Sequence, residues 1–332
     1  MTISKSGWIY ELAILGRVTW SLHSLNNEGQ IGNVMEPRSL MLADGTATDG
    51  ISGEMLKHIH AAAVWALEDH KEKFCAGCRV LDPMRANLNT NVTQTKTVEE
   101  ATDRALSDCQ LCDLHGFMVQ RPTVHRISTI QFGWAVGLPQ ATHTSIHQHA
   151  RHAVGERGRS AARVTQEGSP EDETDVPGTA RAVRSSATQM LYSRPTRSGT
   201  YALVSLFQPW RIGLNTVTYR YVEGLDRRAR YRLALQAYQT MFWRTDGAMT
   251  ATRLPHLEAF EGVLVIARRN VPVPVLSPVN EEYRSGIERL VKTHKGAMES
   301  LAFDDIQGFV SALQALAASE PYALSIPVGE SE

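Results

Sequence analysis

Apolar residues run with few breaks from Trp8 to Leu25, rich in Ile, Val, Leu, Trp and Tyr, and predict a buried strand. The chain then turns polar through Asn26-Asn27-Glu28-Gly29-Gln30-Ile31-Gly32-Asn33 and Glu36-Pro37-Arg38, with turn signals at Asp44-Gly45 and Asp49-Gly50. Ile51-Ser52-Gly53-Glu54-Met55-Leu56-Lys57-His58-Ile59-His60 opens a helix predicted over 52–70. Ser52 suits its N-cap, Glu54 the positive end of its dipole, and Met55, Ile59 and Ala63 share one face. A helix follows from Val98 to Leu106, and a strand over 124–138 stopped by Pro139. Thr188–Tyr192 and Thr200–Leu206 are strand-like and joined by Arg194-Pro195-Thr196-Arg197-Ser198-Gly199. Asp226 to Arg244 predicts an amphipathic helix, Gly262 to Ala267 a buried strand, and Phe303 to Ala318 a C-terminal helix. Strand, helix, strand, strand, helix, strand around long insertions suits an α+β sandwich of the ferredoxin-like kind.

The order strand, glycine-bearing loop, helix N-terminus makes an anion site, because backbone N–H groups point outward there. Arg38, Lys57 and His60 can add charge, and amides near Gly32 and Gly53 allow close approach. Plain turn chemistry is the competing explanation. The pattern changes between Gln140 and Ser186, which is nearly free of large apolar residues and carries His143, His147, His149, Arg151, His152, Arg157, Arg159, Arg163, Arg181 and Arg184, interrupted by Glu171-Asp172-Glu173. Such a segment builds no core of its own and is expected to be flexible until it meets a partner. Its arginines suit phosphate contact, or form an ordinary solvated run; its histidines lack the Glu of a zinc-protease motif.

The four cysteines fall in two pairs, Cys75-Ala76-Gly77-Cys78 and Cys109-Gln110-Leu111-Cys112. Two such knuckles complete a closed four-cysteine site for one structural Zn²⁺; metal-free thiols or redox dithiols are the alternatives. The formal net charge is −1, so any nucleic acid must meet local positive charge, with the acids elsewhere. With 42% hydrophobic residues the chain can build a real core, and no apolar run is long enough to span a membrane. A polar N-terminus lacking a leader pattern predicts a cytoplasmic protein. No nucleophile elbow, Walker, Rossmann or paired-carboxylate motif supports catalysis.

The wording from Asn26-Asn27-Glu28 through Gly32-Asn33-Val34-Met35-Glu36-Pro37-Arg38 to Ile51-Ser52-Gly53-Glu54-Met55-Leu56-Lys57-His58 resembles the DevR branch of the Cas seven family, the backbone subunits of type I CRISPR effector complexes. Cys109-Gln110-Leu111-Cys112-Asp113-Leu114-His115-Gly116-Phe117, Gln189-Met190-Leu191-Tyr192-Ser193-Arg194, Ser198-Gly199-Thr200-Tyr201-Ala202-Leu203-Val204-Ser205, Arg211-Ile212-Gly213 and Gly247-Ala248 through Leu254-Pro255-His256 continue it in order. The resemblance implies a modified RNA-recognition-motif palm (1–70 with 113–139 and 187–332), a zinc-bearing fingers insertion (71–112) and a flexible thumb insertion (140–186). The aromatic signature of ordinary RNA-recognition motifs is absent, so stacking on the sheet is not expected.

The function implied is binding, not catalysis. Copies polymerise along a CRISPR guide RNA beside other Cascade subunits and hold it for pairing with target DNA, so that base pairing reads the sequence. RNA-binding candidates are Asn26, Gly32, Asn33, Arg38, Ser52, Gly53, Lys57 and His60 at the first loop, His147, Arg151, Arg184 and Arg194 around the thumb, and Arg253 in the loop from Gly247. The alternative is a type III-like subunit that cuts target RNA with an acid after the first strand, where Glu28 and Asp44 are available; a zinc-ribbon interaction module is a third.

Overall fold

The structure, a computed structural model, describes residues 7–151, 190–247, 249–294 and 296–325. Side-chain alternation along the first apolar run explains its layers. Strand β1 (Glu11–His23) sends Leu12, Ile14, Val18 and Trp20 into one buried cluster and Ala13 and Leu15 into another on the opposite face. Helices α1 (Gly53–Leu67) and α2 (Arg227–Trp243) pack on the first side, and α3 (Tyr283–Thr293) covers the second with Tyr283, Ile287 and Val291. A strand covered on both faces reads as an unbroken apolar run, which is how β1 announced itself.

The remaining long strands are β2 (Ala135–Arg151), β3 (Met190–Phe207), β4 (His256–Ala267) and β5 (Met298–Phe303). The central order is β4-β1-β3-β2, every neighbour antiparallel, with β5 beyond β4. Ala47–Ile51 pairs with β2, and Ser39–Met41 closes that edge. Helix α4 (Ile306–Leu316) starts three residues later than predicted, because Phe303 belongs to β5 and the Asp305 carboxylate caps the Gly308 N–H at 2.6 Å. No helix among the described residues is long and apolar enough to cross a membrane.

Two strand expectations are corrected. The predicted strand over 124–138 is three: Val124–Arg126 forms a hairpin with Phe117–Val119, Ile130–Phe132 pairs with β3, and β2 begins at Ala135. Pro139 does not stop β2. It lies in a register shift between the pairs Gly137↔Tyr201 and Thr142↔Gly199, where the ladder asks for no N–H. Likewise 194–199 is no connection: β3 runs through it, with His147 opposite Arg194 and Ile146 opposite Pro195. Beyond the shift the two strands form an arm whose β2 side, residues 143–148, is exposed, and which needs backbone pairing and not an apolar face. The rest of the predicted thumb, 152–186, lies outside the described residues.

The insertion is tied to the sheet by one buried carboxylate. Asp113 accepts from Arg126 at 2.6 Å, from Arg230 on α2 at 2.8 Å and from the Gly213 N–H at 3.0 Å. Arg126 also donates to the carbonyls of Arg211 and Leu214 at 2.7 and 2.5 Å, and Arg230 to that of Leu106 at 2.8 Å. Removing one partner from a buried ion pair leaves the others charged without compensation. Asp113→Ala is therefore expected to lower unfolding free energy by about 3–5 kcal/mol, read from urea denaturation.

Candidate nucleic-acid interface and four-cysteine cluster

Two short helices present the cysteines. Cys75 N-caps Ala76–Arg79, which contains Cys78; Cys109 N-caps Gln110–His115 and its sulfur accepts from the Cys112 N–H at 3.3 Å. All four are buried, and their sulfurs lie within 4.8 Å of one another. Cys112 Sγ stands 3.8 Å from that of Cys75 and 3.7 Å from that of Cys78. A tetrahedral zinc with Zn–S bonds of about 2.3 Å needs sulfurs about 3.8 Å apart, whereas a disulfide needs about 2 Å. The donor set therefore fits a metal and leaves no open coordination position.

Beside the cluster, a groove of about 650 Å³ opens between the start of α1 and the insertion, lined by Lys57, Arg85, His115, Phe117, Arg126, Phe132 and Trp134 among others. Lys57 is half-buried, and burial with the nearby charge of Arg85 lowers its pKa below the usual lysine value, Glu54 pulling the other way. Arg85 donates to the Gly116 carbonyl at 3.1 Å. Nothing in the local pattern singles out Arg85 or Trp134; the fold brings them to Lys57 from distant segments. A separate hollow collects Glu72, Asp108, Glu223 and Asp226. The groove lining sets Lys57 and Arg85 against one acid, Glu54, so its local balance is cationic in a near-neutral chain.

The predicted first-loop residues divide by role. The Asn26 carboxamide accepts from the Ser52 N–H at 2.6 Å, and Ser52 caps Met55 at 3.2 Å; both side chains are buried and serve the loop itself. Gly53 lies against the Phe132 backbone, on the groove wall. Gly32 and Asn33 form the turn of an exposed hairpin, Asn27–Ile31 with Val34–Pro37, fastened to β3 by Ser193 N–H to Asn33 carbonyl at 2.7 Å. Arg38 is ion-paired with Glu28 at 2.9 Å and lies over the Trp134 ring.

His60 is a correction. It is fully buried, bonded to His115 at 3.0 Å and to the Ala234 carbonyl at 3.1 Å, and cannot meet a polyanion. Its place on α1 faces the aromatic layer of α2, where the Tyr238 ring centroid is 4.4 Å away. The carbonyl fixes the tautomers: His60 Nε2–H donates to Ala234, so His115 Nε2–H donates to His60 Nδ1.

On the arm, His147 is exposed opposite Arg194, and Arg253 donates to Thr196 at 3.2 Å, so these three gather on or beside it. Arg151 ends β2 and its side chain, like all of Arg184, lies outside the described residues. Three of the acids near the first loop are engaged. Glu28 holds Arg38, Asp44 accepts from Thr46 N–H at 2.9 Å, and Asp49 is bonded to the fully buried Arg197 and to Tyr201.

Chains of CRISPR RNA-guided surveillance complexes share this fold. One, described as a pre-nicking complex, is 13% identical with a TM-score of 0.51, over 93% of this chain and 99% of that one. Another is 12% identical with a TM-score of 0.47, over 93% and 98%. No curated protein matches the chain. The family model described as CRISPR-associated negative auto-regulator DevR/Csa2 matches residues 14–288, and the chain belongs to that family.

Burial lowers the imidazoles of His23 and His60 from 6.5 to about 3, helped at His23 by Arg197, and lowers His115 well below its usual value. All three stay neutral in the fold while the unfolded chain takes up protons. Stability is thus complete above about 6.5 and falls as pH drops toward 3, each histidine contributing up to about 1.4 kcal/mol per pH unit. Urea midpoints are expected to hold level down to about pH 6.5 and then fall steadily to about pH 5, while the ring resonances of His23 and His60 keep their neutral positions.

Proposed function

We propose that this protein is the guide-RNA-binding backbone subunit of a type I CRISPR effector complex: copies line up along the guide, with other Cascade subunits, and hold it for pairing with target DNA. The observation that carries this reading is the groove in which Lys57 and Arg85 face one space beside the start of a capped helix. A capped helix start with fixed cations suits phosphates. Family membership and a fold neighbour from an RNA-guided complex supply the context. The sequence β1, α1, β2, β3, α2, β4 in the order β4-β1-β3-β2 supports an RNA-recognition-motif-like palm. The cysteine insertion serves as fingers and the arm leads into the thumb. The chain works as a scaffold in the cytoplasm and does no chemistry, in keeping with the pairing of Glu28 and Asp49.

The cysteines hold one structural Zn²⁺, which supplies folding energy to the insertion. Elemental analysis of untagged protein is expected to find about one zinc per chain, with Cys75→Ser or chelation lowering the melting temperature; protein that folds with no zinc overturns this assignment.

Lys57→Ala combined with Arg85→Gln is expected to weaken binding of single-stranded RNA roughly tenfold or more for every sequence alike. It should also flatten the slope of log affinity against log salt by about 1.4, the share of two phosphates on a single strand. Unchanged affinity and slope in a folded double variant would place the RNA elsewhere.

A further inference from the structure

Trp134 has no assigned role, yet its placement is tightly controlled. It follows Gly133, whose N–H donates to the Val204 carbonyl of β3 at 2.9 Å. A Cβ at Gly133 would stand 2.5 Å from Val204 Cγ2, and one at Gly53 would collide with the Phe132 carbonyl oxygen. The central strand thus holds Phe132–Gly133 from one direction and the first turn of α1 from another, and only glycine permits either approach. The indole that emerges is 38% exposed and lines the groove with Lys57 and Arg85.

The ring is also held by its neighbour. The Arg38 guanidinium lies 5.5 Å from the ring centroid, a cation–π distance. Glu28 grips Arg38 through Nε at 2.9 Å and Nη2 at 3.2 Å. Arg38 is therefore largely neutralised and oriented, a prop for the ring more than a free phosphate ligand.

We propose that Trp134 is a stacking platform for an unpaired nucleobase of the RNA in the groove, with Arg38 and Glu28 as its positioning residues. The proposal rests on the RNA-binding reading of the same groove. A propped, partly exposed indole in a groove shared with Lys57 and Arg85 meets what a single strand offers, flat bases alternating with phosphates. Because every base has a π face, stacking adds affinity without sequence preference, as suits a strand whose sequence base pairing reads.

The test compares the full chain on single-stranded RNA and on an abasic ribose–phosphate oligomer of equal length, by anisotropy across a salt series. Trp134→Ala should weaken binding of the base-bearing RNA about tenfold with an unchanged salt slope, leave the abasic oligomer unaffected, and be largely rescued by Trp134→Phe. Base-bearing RNA should quench indole fluorescence in the wild type and quench it less in Trp134→Phe. Equal loss on both oligomers makes the ring a structural prop and overturns the proposal, as does no loss on either. If the wild-type chain binds neither oligomer, the RNA-binding reading fails, and the stacking with it.

Discussion

One carboxylate buried away from solvent organises this molecule. Asp113 stands between Arg126 and Arg230, with Arg211 reaching the Ser128 and Ile127 carbonyls close by. A lone buried acid facing more than one guanidinium tolerates little rearrangement, because breaking any of its bonds leaves charge in a low-dielectric interior. The partners come from the end of the cysteine insertion, the hairpin that follows it, the turn after β3, and α2. The groove is walled by the same insertion and hairpin, so its shape follows from this charge cluster.

A second buried chain of polar groups governs the other end. Leu25 N–H donates to His23 Nδ1 at 3.3 Å, so Nε2–H points to the Tyr201 hydroxyl at 2.9 Å, and Tyr201 donates in turn to Asp49. Arg197 closes the network on Asp49 at 2.5 Å and on the Asn26 carbonyl at 3.1 Å. These bonds cross from β1 to β3 where the arm leaves the sheet. Every donor direction in the chain requires His23 to be neutral, consistent with the burial that holds its pKa down.

What was legible in the sequence was what local rules decide. β1 showed in its unbroken apolar run, α1 in the Ser52 cap, α2 in the Asp226 cap, and the cysteine cluster in its spacing. α3 was missed although Tyr283, Ile287 and Val291 recur at helical spacing, because Gly286 and the surrounding charges obscure a short stripe. The arm was hidden by Pro139, Pro195 and polar composition; pairing supplied from about 50 residues away outweighs those signals. His60 looked like a surface cation because its partners, His115 and the Ala234 carbonyl, lie far along the chain. Trp134 and Arg85 belong to the same class: sites assembled from separate segments have no local pattern.

The edge of the sheet beyond β2 ends in Ser39–Met41, three residues long, before the chain turns back at Leu42–Thr46. So short a strand can offer a neighbour only about one or two backbone hydrogen bonds, too few to template strand-to-strand joining. For a protein read as standing in rows with its own copies, that brevity matters. It discourages uncontrolled growth through this edge, the route by which exposed sheets become fibres, and in the proposed row of copies it would leave the number of copies to be set by the guide.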